Sequence, residues 1–140
     1  MSQKKILVGL DGSEAFFKAL DEAVQLARLC GAALHTISVE EIPHYPETVD
    51  EVNEAKEEAD EKFQPALRKA RKIAESAGVE LQTTLLVGHE VKTIIEFVEH
   101  GGFDLLVIGF MGHSALYDRV MGSTCQALVR LAPCTVLVVK

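Results

Sequence analysis

Residues 104–124 read DLLVIGFMGHSALYDRVMGST, and this stretch decides the fold. The apolar run Leu105 to Ile108 stops at Gly109. Gly112 follows, then nine residues, then Gly122-Ser123-Thr124 opening the helical pattern CQALVRLA. The grammar is strand, glycine loop, helix start. Glycine lets the main chain approach a bulky anion with no Cβ in the way, and a helix start offers free N–H groups and the positive dipole end to phosphate. A phosphate-bearing ligand at this loop is the first expectation.

The flanking segments repeat the alternation of strand and helix. Lys5 to Leu10 is a short apolar run, and Gly9 to Ser13 is a turn. Ser13, with Glu14 behind it, caps a helix whose apolar positions Leu20, Ala23, Val24 and Ala27 recur at helical spacing, and Gly31 closes it. Ala32 to Val39 reads as a second strand, bounded by Glu40-Glu41. A long helix is expected from about Val49 to Ala77, with acids near its start and Arg68, Lys69, Arg71 and Lys72 near its end, matching the helix dipole. Pro65 predicts a kink or a split in it. Val79 to Val87 is a third strand, Gly88-His89-Glu90 a turn, and Val91 to His100 a helix ended by Gly101-Gly102. Leu105 to Ile108, a helix of about Ser123 to Leu131, and a last strand Thr135 to Val139 complete the chain. These strands are continuous apolar runs, the pattern of a parallel sheet covered on both faces by helices. With no internal repeat or linker, one domain over residues 1–140 is expected.

Composition narrows the function. Hydrophobic content of 48% and charged content of 25% are those of an ordinary globular protein. A net charge of −7 argues against nucleic acid or an anionic membrane as partner, since both require a concentrated basic field. The basic cluster at 68–72 lacks interleaved aromatics and reads as a solvated helix face. No apolar run approaches the ~20 residues of a membrane span, and Met1 to Lys5 leads into a strand with no signal-peptide core, so a cytoplasmic protein is expected. Cys30, Cys125 and Cys134 form no CxxC pair. Cys30 continues the Ala23, Ala27 row and Cys125 opens the last helix, so both are expected as buried small hydrophobes.

In an open α/β sheet, ligands settle beyond the carboxyl ends of the strands where the winding direction reverses. With the first and fourth strands as neighbours there, the turn Gly9–Ser13 faces the loop beginning at Gly109. Asp11 can then accept hydrogen bonds from a ribose hydroxyl, although a turn or helix-capping role fits its spacing equally. The main chain of Gly112, Gly122 and Ser123 can cradle phosphates, while Ser123 and Thr124 also suit an N-cap and first turn. Other chemistries fail. His89-Glu90 begins an HExxH pattern, but Thr93 stands where the second histidine belongs. Neither GxxxxGK[ST] nor GxSxG occurs, and the five histidines are scattered, so no metal site is expected.

The spacing GxxG, nine residues, Gly-Ser resembles the nucleotide-binding signature of the universal stress protein family. So do Lys5-Ile6-Leu7-Val8 running into Asp11-Gly12-Ser13, and Ala132-Pro133-Cys134-Thr135-Val136-Leu137-Val138-Val139 at the end. The resemblance covers essentially the whole chain and is to the ATP-binding type. It implies that Asp11 contacts the ribose and that Val39 lies near the adenine. The expected site comprises Gly9, Leu10, Asp11, Val39, Ile108, Gly109, Gly112, His113, Gly122, Ser123 and Thr124. His113 stands where many relatives carry arginine, and Ala115 where they carry glycine. A histidine there makes phosphate binding pH-sensitive near its ordinary pKa of ~6.5, and Arg119 is the candidate replacement for the missing charge.

The expected architecture is a Rossmann-like single-domain α/β fold, an open parallel five-stranded sheet of order 3-2-1-4-5 with helices on both faces. The expected function is that of a cytoplasmic ATP- or AMP-binding stress-response regulator, a homodimeric switch or interaction module rather than an enzyme. The alternative is a slow Mg2+-dependent nucleotide hydrolase or transferase in the same cleft, with Asp11 holding the metal. A nucleotide-free interaction protein is a third reading, against which the intact glycine spacing counts. Relatives dimerise through the last strand, and Thr135 to Val139 is a short apolar edge of the kind that pairs with another chain.

Overall fold

Each apolar run in the sequence becomes a strand of one parallel sheet. The computed structural model describes residues 4–10, 14–41, 48–110 and 121–140. Its elements are β1 (Lys5–Leu10), α1 (Glu14–Cys30), β2 (Ala33–Glu41), α2 (Val49–Ser76), β3 (Leu81–Gly88), α3 (Glu90–Gly101), β4 (Leu105–Gly109), α4 (Ser123–Leu131) and β5 (Thr135–Val139). The sheet order is β3-β2-β1-β4-β5, all pairs parallel. Main-chain bonds at the amino edge hold this register. Lys5 N–H donates to the Asp104 carboxylate at 2.8 Å, and Asp104 N–H returns to Lys5 O at 2.9 Å, locking β1 beside β4.

Strand side chains alternate between two helical layers. Ile6, Val8, Leu10, Leu34 and Val107 pack under α1 and α2, around Phe16, Leu20, Phe63 and Leu67. Leu7, Ile37, Leu106 and Ile108 pack under α3 and α4, around Ile94, Val98, Cys125 and Leu128. Leu7, Leu106, Phe16 and Leu128 are fully buried, and each such side chain contributes roughly 1.5–3 kcal/mol. Two polar groups break the pattern. Thr36 Oγ1 and Ser38 Oγ are fully buried and have no hydrogen-bond partner among the described residues.

Several boundaries depart from the sequence expectation for local reasons. β2 runs on through Glu40 and Glu41, which pair with Val87 and Gly88 of β3, and Lys62 of α2 meets the charge of Glu40 at 3.2 Å. α2 is one helix straight through Pro65. Its start is as expected: Thr48 Oγ1 accepts from Glu51 N–H at 3.1 Å, and Asp50 and Glu51 occupy the first turn. Its last turn holds no base. The basic cluster lies earlier and is used sideways, Arg71 donating to Thr83 Oγ1 at 3.0 Å and the Lys69 ammonium sitting 4.1 Å from the centre of the Phe17 ring. Cys30 is exposed, contrary to expectation. It shares the azimuth of Ala23 and Ala27, but Ala27 is the last residue α1 buries, and the helix end passes beyond its cover. Gly31, at φ 65°, ends α1 in the left-handed conformation that costs glycine least. The expected α1 cap, Ser13, lies outside the described residues.

Candidate functional site

The registers Ile6↔Leu105, Leu7↔Leu106 and Val8↔Val107 carry β1 and β4 upward together, so Gly9-Leu10 and Ile108-Gly109 end side by side. This is where the winding reverses: β2 and β3 lie to one side of β1, and β4 and β5 to the other. Such switch points are where open α/β sheets hold ligands. α1 and α4 both begin at this edge, on opposite faces of the sheet.

The glycines at the ends of β1 and β4 behave differently. A Cβ at Gly9 would meet nothing closer than Ile108 Cγ2 at 3.8 Å, an ordinary contact. Gly9 therefore has room for a methyl group, and Val39, Ile108 and Met121 pack on the α3/α4 face of the sheet. A Cβ at Gly109 would collide with Ala15 of α1, at 2.8 to 2.9 Å.

The start of α4 is built by main chain. Phe110 N–H donates to Val139 O at 2.9 Å, and Phe110 O accepts from Gly122 N–H at 3.0 Å, so the end of β4 is tied to β5 on one side and to the helix cap on the other. Gly122 is the N-cap, with φ −64° and ψ 154° and no side-chain cap bond. The expectation of Ser123 as the cap is thus corrected by one position. Ser123 is the first helical residue. The first return bond of the ladder is Gln126 N–H to Gly122 O at 3.0 Å. The amides of Ser123, Thr124 and Cys125 therefore have no acceptor inside the helix, and no hydrogen bond engages the Ser123 or Thr124 hydroxyl among the described residues.

Charge marks this helix start out. α1 carries Glu14 in its first turn, α2 Asp50 and Glu51, and α3 Glu90. α4 opens with Ser-Thr-Cys and no acid at all, leaving its positive dipole end uncompensated by its own side chains. Elsewhere on the carboxyl edge Lys62 lies 3.2 Å from Glu40, and the His89 ring 3.8 Å from the Glu41 carboxylate. Burial pushes the Cys125 thiol pKa up, keeping it neutral, as expected of a packed small hydrophobe.

Of the expected site residues, the structure therefore brings Gly9, Leu10, Val39, Ile108, Gly109, Gly122, Ser123 and Thr124 to the carboxyl edge. Asp11, Gly112 and His113 lie outside the described residues, as does Arg119. Ala15, Phe110 and Met121 were not singled out in the sequence, and nothing periodic marks them. Among the described residues no three His, Cys, Asp or Glu side chains group to hold a metal ion. A Mg2+ at this edge would depend on oxygens of the ligand's own phosphates, as that ion commonly does.

Comparison with known proteins agrees with this geometry. A model of the universal stress protein family matches residues 3–140. The chain belongs to that family. Among its relatives, the universal stress protein YxiE of Bacillus subtilis is 33% identical, the match covering 97% of this chain and 98% of that one. The solved universal stress protein UspA of Lactobacillus plantarum superposes with a TM-score of 0.83 at 27% identity, over 100% of both chains. A crystal structure of a universal stress protein in complex with cAMP superposes at 0.78, also 27% identical, over 100% of this chain and 99% of that one.

Proposed function

We propose that this member of the universal stress protein family binds an adenine nucleotide, ATP or AMP, at the carboxyl edge between β1 and β4. One observation carries the reading: the acid-free start of α4 presents amides with no acceptor among the described residues, at the carboxyl edge where Gly9, unlike Gly109, has room for a Cβ. A solved relative in complex with cAMP supports adenine as the base. In this reading Val39 and Ile108 line the base, with Gly9 and Leu10 beside it, and Asp11 accepts from the ribose. The main chain of Gly112, Gly122, Ser123 and Thr124 holds the phosphates, and His113 adds positive charge as pH falls. Gly109 serves through packing.

The protein then acts as a single regulatory domain over residues 1–140, cytoplasmic and homodimeric through Thr135–Val139. β5 supports this by lying at the sheet edge, with β4 as its one strand neighbour among the described residues. Binding rather than turnover is the output, since fast phosphoryl transfer requires metal ligands and charge clamps around the γ-phosphate. Titration calorimetry with ATP, AMP and cAMP tests the reading. Saturable binding near one nucleotide per chain is expected, with the nucleotide recovered intact after long incubation with Mg2+. Absence of binding refutes the site, and rapid hydrolysis refutes the binding-module role.

A further inference from the structure

Charges along one flank of α2 complement each other under a two-fold rotation. The buried row of this helix, Ala59, Phe63, Leu67, Ala70 and Ala74, faces the sheet. On one side of that row Lys69 reaches the Phe17 ring of α1, and on the other Arg71 donates to Thr83 Oγ1 of β3. The Arg71 side carries Glu57, Asp60, Gln64, Arg68 and Arg71, spaced three or four residues apart and so aligned along the helix. Gln64 is half-buried and the other four are exposed. This order is unfavourable in a lone helix, because Glu57 neighbours Asp60 and Arg68 neighbours Arg71, like charges one turn apart. The helix dipole does not account for them. Its effect fades within the first and last turns, and all four charges lie further inside Val49–Ser76. None of Glu57, Asp60 and Arg68 makes an ion pair among the described residues.

The sheet edge beneath is unguarded. β3 ends the sheet, with β2 as its one strand neighbour among the described residues. Its sequence LQTTLLVG holds neither charge nor proline, the usual protections of a free edge. α2 packs more on β3 than on β2, whereas α3 favours β2, so α2 is the helix that stands over this edge. We propose that this flank of α2 and the free edge of β3 form an isologous interface with a second copy of the chain. A two-fold axis normal to the sheet pairs the two β3 edges antiparallel and lays the two α2 helices antiparallel above them. With the axis at Gln64, Glu57 faces Arg71 of the partner subunit and Asp60 faces Arg68 of the partner subunit, each pair occurring twice. The like-charged neighbours then become complementary rows. Arg71 bonds to Thr83, and the step back to Gln64, about 10 Å of helix, spans about three strand residues, which sets Leu86 at the axis. Exposed ion pairs are weak and screened by salt, so the contact joins chains at high local concentration. β5, at the opposite edge of the sheet, stays free for its own proposed pairing.

The test places a thiol on the axis. Gln64→Cys, in a Cys30→Ser/Cys134→Ser background, is treated with a short bismaleimide at high protein concentration. Denaturing electrophoresis reads covalent dimers, so non-covalent pairing through β5 does not register. Glu58→Cys, exposed about a third of a turn round the helix, is the comparison. At low salt the thiol at 64 should crosslink at least about tenfold faster than the one at 58, because association raises its local concentration. The excess should vanish at about 1 M salt, where the Debye length is ~3 Å. Asp60→Arg added to Gln64→Cys sets like charges face to face and should remove the excess, and adding Arg68→Asp as well restores opposite signs and should return it. Every substituted residue is exposed or half-buried, and circular dichroism confirms the fold of each variant. Equal rates at the two positions, an excess that survives high salt, or a second reversal that restores nothing would overturn the interface.

Discussion

Replacing Ser123 with aspartate should move stability and binding in opposite directions. Ser123 is exposed and is the first residue of α4, whose first turn carries no acid. A carboxylate there meets the positive end of the helix dipole and contributes about 0.3–1 kcal/mol. For a domain of this size that corresponds to a rise of roughly 1–4 °C in Tm. The same carboxylate would stand about 5 Å from a phosphate held on the first-turn amides, where an effective dielectric near 20 gives a repulsion of roughly 3 kcal/mol. Exposure and salt reduce this to about half, still roughly a tenfold loss of affinity. Scanning calorimetry of the nucleotide-free protein and titration calorimetry with AMP and ATP read the two effects separately. A loss of both stability and affinity would give Ser123 a purely structural role. A rise in Tm with unchanged affinity would place the anion elsewhere.

Other outcomes follow from single observations. Gly122→Val keeps the fold, since φ −64° suits any residue, but crowds the helix start and should abolish nucleotide binding; unchanged affinity by calorimetry would refute that placement. Thr36→Val removes a fully buried hydroxyl with no partner among the described residues, and because an unmet buried group costs about 1–3 kcal/mol, the urea midpoint should rise; a fall would mean that the hydroxyl is satisfied. Burial first, and Lys5 second, hold the His35 imidazole below its ordinary pKa, beside Phe97 and Phe103 and bonded to Thr84 Oγ1 at 2.7 Å. The unfolded chain therefore takes up that proton first, so the contribution is intact above about pH 6.5 and is lost as pH falls below it. His35→Gln should flatten the pH dependence of the urea midpoint in that window, and an unchanged slope would refute the assignment. Sedimentation at micromolar concentration should give a dimer mass, and a monomer would contradict the role given to β5.

The fold was legible because a parallel sheet covered on both faces needs strands that are apolar throughout, and such runs stand out between charged helices. Edges were harder to read. Glu40 and Glu41 look like a strand terminus until Lys62, distant in sequence, meets the charge of Glu40. Cys30 has the helical phase of a buried residue, and only the reach of the neighbouring layers leaves it in solvent. At the site, the glycine spacing correctly located the helix start, but spacing could not distinguish Gly122 from Ser123 as the cap. Nor could it tell which glycine leaves space: Gly9 and Gly109 look alike in sequence, and only the packing of Ala15 separates them.

The most direct test is a crystal structure grown with excess AMP or ATP. Phosphate oxygens should lie within hydrogen-bond distance of the Ser123 and Thr124 amides, with the base against Val39 and the sugar at Asp11. Nucleotide bound away from α4, or a carboxyl edge left empty at saturating ligand, would contradict the assignment.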